Sequence, residues 1–280
     1  AVGAKRNGGQ ETSLIYQIID MSNLNMLAVG NSAETTAQYG GTTLAGDVGT
    51  AYKDEYGLNT CMGTGARLAK TALGLDQVRD MKLKDKVQIA VWMVQDTSDG
   101  KGLNYIKSLL SKVQNDDVEF KIVDLSKEEI YRCIACDVCP TKVGPKEEYR
   151  CIIKAKEDYM QREHQNIVNV DAILIAGYSP VDKTRVDSVY QKFIERTRYL
   201  RRDDYVFTDR LIAPLVISEM NSNQNLHIRM LTSLIRHHTI LHHPLLAFEQ
   251  DGQLLNNDCF LKQADLFAKK AVQTTIARLN

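Results

Sequence analysis

The chain has 280 residues, of which 44% are hydrophobic, 25% charged and 7% aromatic, as in an ordinary globular protein. Lysine plus arginine and aspartate plus glutamate number 35 each, so a formal charge of zero gives no overall field to attract nucleic acid or anionic lipid. No apolar run is long enough to cross a bilayer. We therefore expect neither a nucleic-acid partner nor a membrane partner.

The first 75 residues predict a glycine-containing loop followed by a helix, a short strand at 26–29, a second loop and a helix at 57–73. Adjacent Gly8 and Gly9 would let the backbone approach a flat or anionic ligand, although a plain helix entry explains them equally well. The second helix has four residues that we expect to be buried: Leu58, Met62, Leu68 and Ala69. Because the chain opens with Ala1 rather than Met, we expect a processed product, a fragment, or a subunit completed by another polypeptide.

The charged, aperiodic residues 76–86 predict a linker. A buried strand at 87–94, a polar loop at 95–102 and a helix from 103 then form the opening of a doubly wound α/β fold, in which the first loop binds phosphate. Strands at 118–125, 172–176 and 211–217 follow, with a helix at 184–200 between the last two. Pro214 interrupts the last of these strands and favours a sheet edge or a bulge there.

The pattern of the N-terminal segment returns after residue 218. The segment 221–224 stands where 7–10 stood, and a helix, a strand at 245–248 and a helix at 259–279 follow. Residues 1–75 are therefore predicted to be the C-terminal half of a unit of which 87–280 is a complete copy. Segment 221–224 has no glycine at the positions that correspond to Gly8 and Gly9.

Four of the six cysteines fall between residues 133 and 151, as Cys133, Cys136, Cys139 and Cys151. Thiols at this spacing can turn onto one ion or cluster, which favours iron-sulfur or zinc ligation. Disulfides, which are typical of small secreted chains, and unligated thiols remain as alternatives. Unpaired cysteines indicate a reducing compartment, hence the cytoplasm.

The remaining conspicuous residues predict structural roles. Cys61 and Cys259 are expected to pack as small apolar residues. Trp92 lies in a predicted buried strand and is expected in the core rather than against a ligand. The four histidines of segment 237–243 lack a further metal ligand nearby in the sequence, so we expect them at the surface or in an interface.

The order of these features resembles the NAD(P)H-dependent FMN reductases, and more narrowly their iron-sulfur flavoprotein branch. The resemblance implies a flavodoxin-like α/β fold with a doubly wound parallel sheet, as one complete unit preceded by the C-terminal half of a second. FMN in this family lies at the carboxyl ends of the strands, and its sites are completed across a dimer interface.

The resemblance assigns three sets of cofactor-binding residues by position. The ring-side loop comprises Arg6, Asn7, Gly8, Gly9, Gln10 and Glu11. The loop after the third strand comprises Ser179, Pro180 and Val181, and the phosphate loop comprises Thr97, Ser98 and Lys101. Asp96 and Asp99 depart from the family pattern and would repel a phosphate. Asp182 replaces an aromatic residue, and the gap before Cys151 is longer than usual. FMN is therefore expected mainly in the first, incomplete unit.

The implied function is that of an oxidoreductase in which NAD(P)H reduces FMN and FMN passes single electrons to a 4Fe-4S cluster. The cluster would be held by Cys133, Cys136, Cys139 and Cys151, with zinc as the alternative metal. No side chain is identified as a catalytic acid or base. The implied assembly is a homo-oligomer, or a complex in which a partner chain supplies the missing half. The alternative is a non-catalytic scaffold with a structural zinc site.

Overall fold

The computed structural model describes residues 2–3, 8–30, 39–95, 100–139, 144–181, 186–201, 205–222 and 225–280. The N-terminal elements are β1 (Val2–Gly3), α1 (Gln10–Asn23), β2 (Ala28–Val29), β3 (Gly41–Thr42) and α2 (Glu55–Gln77). The next are β4 (Val87–Val94), α3 (Lys101–Leu110), β5 (Val118–Asp124), α4 (Tyr159–Arg162), α5 (His164–Val168), β6 (Ala172–Ser179) and α6 (Val186–Arg196). The last are β7 (Leu211–Glu219), α7 (Leu226–Leu234), β8 (Ile240–Leu241), β9 (Leu245–Gln250), β10 (Gln253–Leu255) and α8 (Asn257–Leu279).

The central sheet has the strand order β10-β9-β7-β6-β4-β5. The neighbouring pairs from β9 to β5 are parallel, whereas β10 runs antiparallel to β9. Counting the five parallel strands along the chain gives the order 2-1-3-4-5, which is the flavodoxin-like arrangement. The predicted fold class is confirmed.

Helices cover both faces of this sheet, which is why its central strands are apolar at nearly every position. Alternate residues of β4 enter the two cores: Ile89, Val91 and Met93 face α3 and α8, and Ala90, Trp92 and Val94 face α6 and α7. Trp92 is buried, with its ring centroid 5.2 Å from that of Phe193. Its predicted core role agrees with this position.

The contacts that join the N-terminal elements to the rest include a strand pair, an ion pair and packing of α2 against α8. β2 pairs antiparallel with β8, so that Ala28 lies opposite Leu241 and Val29 opposite Ile240. Arg67 on α2 is buried and binds Asp209, with 3.0 Å between Nη2 and Oδ1. β1 pairs in parallel with β3 in a separate two-stranded sheet.

The apolar side of α2 was predicted to be buried, and this prediction is wrong. Leu58, Met62, Leu68 and Ala69 are all exposed, and the buried residues of α2 are Gly57, Thr60, Thr64 and Arg67. α2 and α8 each have 23 residues, and aligning their first residues places Leu58, Met62 and Ala69 at the positions of Phe260, Ala264 and Ala271. Those three α8 residues are buried in the core between α8 and the sheet. The described residues provide α2 with no corresponding sheet.

The histidine prediction is also wrong, because His237, His238 and His242 are all buried. His237 Nε2 lies 3.0 Å from Thr197 Oγ1, and the His238 ring stacks on Tyr205 at 3.7 Å between centroids. Adjacent apolar elements cover these rings, which the local sequence could not indicate.

Two further expectations fail for reasons of packing. Cys259 is exposed at the start of α8 rather than packed. Pro214 lies in a central strand, opposite Ile175 of β6, rather than at an edge. On its other side β7 pairs with β8 up to Ile212 and with β9 from Leu215, so Pro214 falls in the gap between these partners. The missing N–H therefore costs no ladder hydrogen bond there.

None of the helices in the described part of the chain combines the length and the apolar character that crossing a bilayer requires.

Candidate functional site

The parallel strands bring their carboxyl ends to one edge of the sheet, where open α/β folds bind ligands. A cavity of about 410 Å³ lies there, beyond the ends of β7 and β9 and beside the start of α7. Its lining residues are Ser218, Glu219, Met220, Asn221, Ser222, Asn225, His227, Leu246 and Phe248. This volume lies within the range of small-molecule sites.

Ser179, Pro180 and Val181, which were predicted to bind the cofactor, lie beside this cavity. Ser179 is the last residue of β6, rather than part of the following loop, and its hydroxyl lies 2.8 Å from that of Ser222. The Val181 N–H donates to Glu219 Oε2 at 2.8 Å. These bonds join the loops after β6 and β7. Sequence reasoning did not propose Glu219 and Ser222 as site residues, although Ser222 occupies the position of Gly8 in the repeated pattern.

The predicted phosphate loop is described only in part, because Thr97 and Ser98 lie outside the described residues. Lys101 is the first residue of α3, preceded by Gly100 at φ +68°. Its Nζ lies 2.9 Å from Oε2 of Glu249, a buried residue of β9. Glu249 also accepts hydrogen bonds from the Tyr178 hydroxyl at 2.8 Å and the Gly252 N–H at 2.6 Å. A carboxylate therefore binds the predicted phosphate ligand Lys101.

The N-terminal loop is likewise described in part, with Arg6 and Asn7 outside the described residues. Gly8 and Gly9 are exposed, and Gly9 precedes α1 at φ +95°, which a residue with a side chain rarely adopts. The Gln10 side chain is buried and its Oε1 accepts the Gly8 N–H at 2.8 Å. Glu11 follows in the first turn.

Tyr39 links this N-terminal region to the second half of the chain. Burial raises the pKa of the Tyr39 hydroxyl; the charges of Arg236 and Arg201 lower it and that of Glu11 raises it. Arg201 ends a 3₁₀ turn that follows α6 (Thr197–Arg201). Tyr39 is thus within electrostatic range of Glu11 and of both Arg236 and Arg201.

The four clustered cysteines lie in the segment between β5 and α4, which begins at the carboxyl edge of the sheet. Cys139 and Cys151 are buried, Cys133 is half-buried and Cys136 is exposed; all four are free thiols. Ala135 and Asp137 have φ of +50° and +54°, an unusual conformation that turns the chain on each side of Cys136. Backbone strain of this kind is common at functional sites.

The Cys139 thiol is affected by burial and by the other three cysteines of the segment. Burial, and then the charges of Cys151, Cys136 and Cys133, raise the pKa of the Cys139 thiol. Cys139 is thus within electrostatic range of the other three cysteines. Within the described ranges, however, no three His, Cys, Asp or Glu side chains are arranged so that they could hold one metal ion.

Comparison with known proteins gives a partial sequence match. No protein-family model matches the chain. An iron-sulfur flavoprotein of Methanocaldococcus jannaschii is 40% identical over 70 residues, which are 25% of this chain and 36% of that protein. The chain thus spans about a third of the length of this relative.

Solved structures similar to this one have low sequence identity to it. An oxidoreductase of Corynebacterium diphtheriae is 12% identical, with a TM-score of 0.41 over 69% of this chain and 98% of the other. A flavodoxin, WrbA-like protein of Agrobacterium tumefaciens is 11% identical, with a TM-score of 0.39 over 70% and 99%. The strand order and the 70-residue match together confirm the predicted resemblance: the chain contains a flavodoxin-like unit and is, over that matched region, a homologue of an iron-sulfur flavoprotein.

Proposed function

We propose that this chain is a flavin-dependent oxidoreductase that takes electrons from NAD(P)H through FMN to a 4Fe-4S cluster on Cys133, Cys136, Cys139 and Cys151. The observation that carries the proposal is the segment with four free thiols that follows β5 at the carboxyl edge of a flavodoxin-like sheet. The sequence match to an iron-sulfur flavoprotein supports it.

The thiols fit a cationic centre on chemical grounds. Thiolates gathered in a partly buried loop repel one another, and this repulsion contributes to the raised pKa of Cys139. Iron or zinc bound to the sulfurs would remove that cost and keep the thiolates deprotonated. Cysteine thiolates are the usual ligands of iron-sulfur clusters, and free thiols at all six cysteines support a cytoplasmic location.

For FMN we favour the loop of the first unit, Arg6 to Glu11, over the second unit. A phosphate at the second unit would compete with Glu249 for Lys101, and Thr97 and Ser98 have two aspartates in the same loop. The 3₁₀ turn Thr197–Arg201 supports this choice, because Arg198 binds Asp137 of the cysteine loop at 2.8 Å while Arg201 lies near Tyr39. Flavin and cluster would then lie on opposite sides of one turn.

The chain would contribute placement rather than acid-base catalysis. Bound FMN would accept hydride as a pair of electrons and release the electrons singly. The exposed Gly8 and Gly9 would allow the backbone to approach the flavin ring, and Ser179, Pro180 and Val181 would shape the strand-end cleft of the second unit.

We further propose that the sheet of a partner chain packs on the exposed side of α2. The exposed apolar residues of α2 align in sequence with residues of α8 that pack on the sheet, and this supports the proposal.

The alternative is a non-catalytic scaffold with structural zinc, favoured by the Lys101–Glu249 pair in the predicted phosphate loop. Anaerobic purification of the full chain distinguishes the two. Stoichiometric iron and sulfide together with the visible absorption of a flavin would support the oxidoreductase. Colourless protein containing stoichiometric zinc would support the scaffold and contradict the redox proposal.

A further inference from the structure

We propose that the buried ion pair of Asp158 and Arg196 is a clamp that fixes both ends of the cysteine loop for metal binding, with Tyr149 carrying its effect to Cys151. This inference rests on the metal-binding part of the proposed function. It assigns positioning roles to three residues outside the cysteine motif.

The pair lies beneath the loop. Asp158 precedes α4 and Arg196 ends α6, and their side chains are 0% and 1% exposed. The guanidinium binds both carboxylate oxygens, with 2.7 Å from Nη2 to Oδ2 and 3.1 Å from Nη1 to Oδ1. This bidentate geometry fixes both side chains relative to each other.

The first end of the loop is held through the backbone of Tyr131, two positions before Cys133. Its N–H donates to Asp158 Oδ1 at 3.1 Å, and its carbonyl accepts from Arg196 Nη1 at 2.9 Å. Both backbone groups of one residue are therefore bound by the ion pair. The Tyr131 hydroxyl does not take part, because it donates to Glu157 at the surface.

The second end is held through the side chain of Tyr149, two positions before Cys151. Arg196 Nη2 donates to the Tyr149 hydroxyl at 2.5 Å, and that hydroxyl donates to the Ile153 carbonyl at 3.0 Å. Burial raises the pKa of this hydroxyl, and Cys151 is among the nearby groups that raise it further. Because the hydroxyl has a single proton, a thiolate at Cys151 would take it in place of the Ile153 carbonyl, and hydrogen bonds to ligand sulfurs adjust the properties of a metal centre.

Stability alone does not explain this arrangement. Removing two charges from water is costly, and well-packed apolar residues in place of a buried pair are often as stable or more so. An ion pair does offer several directed hydrogen bonds from one rigid point. A loop that presents four cysteines to one metal needs such support, because its two ends must be held in a fixed relation.

The test measures binding of Co²⁺, used alone as the metal probe, to the full metal-free chain under anaerobic conditions. The thiolate-to-cobalt charge-transfer absorption reports both affinity and sulfur environment. Three variants are compared with the wild type: Tyr149→Phe, the double variant Asp158→Leu with Arg196→Met, and the control Tyr131→Phe. Single charge removals are avoided because an unpaired buried charge would destabilise the fold.

The double variant should keep its far-UV circular dichroism and bind Co²⁺ about 10–100-fold more weakly, as expected for the loss of outer-shell support. Tyr149→Phe should weaken binding and shift the charge-transfer band. Tyr131→Phe should match the wild type, because its backbone contacts remain. Tyr149→Phe leaves the ion pair in place. If the double variant does not fold, Co²⁺ binding by Tyr149→Phe therefore tests the proposal.

If Tyr149→Phe and a folded double variant both bind Co²⁺ with the affinity and spectrum of the wild type, the clamp proposal is wrong. The cluster proposal would not be affected by that result. A wild-type chain that binds no Co²⁺ would overturn both. If binding depends on the clamp but the purified protein contains neither flavin nor iron, the clamp is supported and the redox function is not.

Discussion

Lys101 at the start of α3 and Glu249 in β9 form an ion pair across the carboxyl edge of the sheet, although they are 148 positions apart in sequence. The Glu249 carboxylate also binds Tyr178 and the Gly252 backbone, so it has three hydrogen-bond donors. The pair occupies the edge of the loop that binds phosphate in doubly wound folds. It therefore stabilises the edge and makes an anionic ligand unfavourable there.

Glu249→Gln should lower the free energy of unfolding at neutral pH by about 1.5–3 kcal/mol, because it removes a charge-assisted hydrogen bond. Burial raises the pKa of Glu249, but bonds from Lys101, Gly252 and Tyr178 outweigh it, so the pKa lies below its usual value. The stabilisation is complete above the unfolded pKa of about 4.3 and is lost as pH falls through the lower folded pKa. Urea unfolding should show the difference between wild type and variant narrowing in acid. If the difference in unfolding free energy between wild type and Glu249→Gln does not change with pH, this explanation is wrong.

His238→Asn should make stability less sensitive to mild acid. Burial, and then Arg67, lower the pKa of His238 to about 4. At pH values between the unfolded pKa of about 6.5 and this folded pKa, His238 is protonated in the unfolded chain but not in the folded one. The free energy of unfolding therefore falls as the pH decreases through this range. At pH of about 5 the loss is about 2 kcal/mol. Asparagine tolerates the φ of +58° at this position, so the backbone should be retained.

Denaturation of wild type and His238→Asn at neutral and mildly acidic pH checks this prediction. The acid-induced loss of unfolding free energy should be smaller in the variant, although His237 and His242 are also buried and keep part of it. Equal losses in both proteins would show that His238 does not determine the acid response.

Gly102→Ala and Gly65→Ala should change stability in opposite directions. A Cβ on Gly102 would lie 2.4 Å from Tyr178 Cβ, so α3 would have to move away from β6, at a cost of about 1–3 kcal/mol. A Cβ on Gly65 of α2 meets nothing within 4 Å, and alanine there should add about 0.5–1 kcal/mol through helix propensity. Thermal denaturation of both variants should show melting temperatures on either side of the wild type. Similar shifts in both would contradict the proposed close contact of α3 with β6.

Cys136→Ser should remove bound metal without unfolding the sheet, because Cys136 is exposed in the cysteine loop. Cys259→Ser is the matched control: Cys259 is also exposed, but it begins α8, which packs on the opposite sheet face from Cys139 and Cys151. Metal content of the purified variants and their far-UV circular dichroism provide the measurement. Global unfolding of Cys136→Ser, or equal metal loss in the control, would be evidence against the assignment.

Several features could be predicted from sequence because they depend on neighbours along the chain. The apolar runs at 87–94 and 118–125 correspond to β4 and β5 within one residue at each end. The alternation of strands and helices indicated a doubly wound α/β fold, and the family resemblance implied the flavodoxin-like class. The cysteine spacing likewise located a thiol-rich segment, which lies between β5 and α4.

Other features were decided by tertiary structure, because they depend on groups far apart in sequence. The periodicity of α2 correctly indicated an apolar side, but burial requires a surface to pack against, and Met62 is 63% exposed. The burial of His238 depends on Tyr205, and Lys101 and Asp158 find partners in β9 and α6. The sequence by itself determined which segments become strands, helices and a thiol-rich loop, because propensity and periodicity are local. Only the tertiary structure decided which charged residues form ion pairs, because those pairs join strands and helices that are distant in sequence.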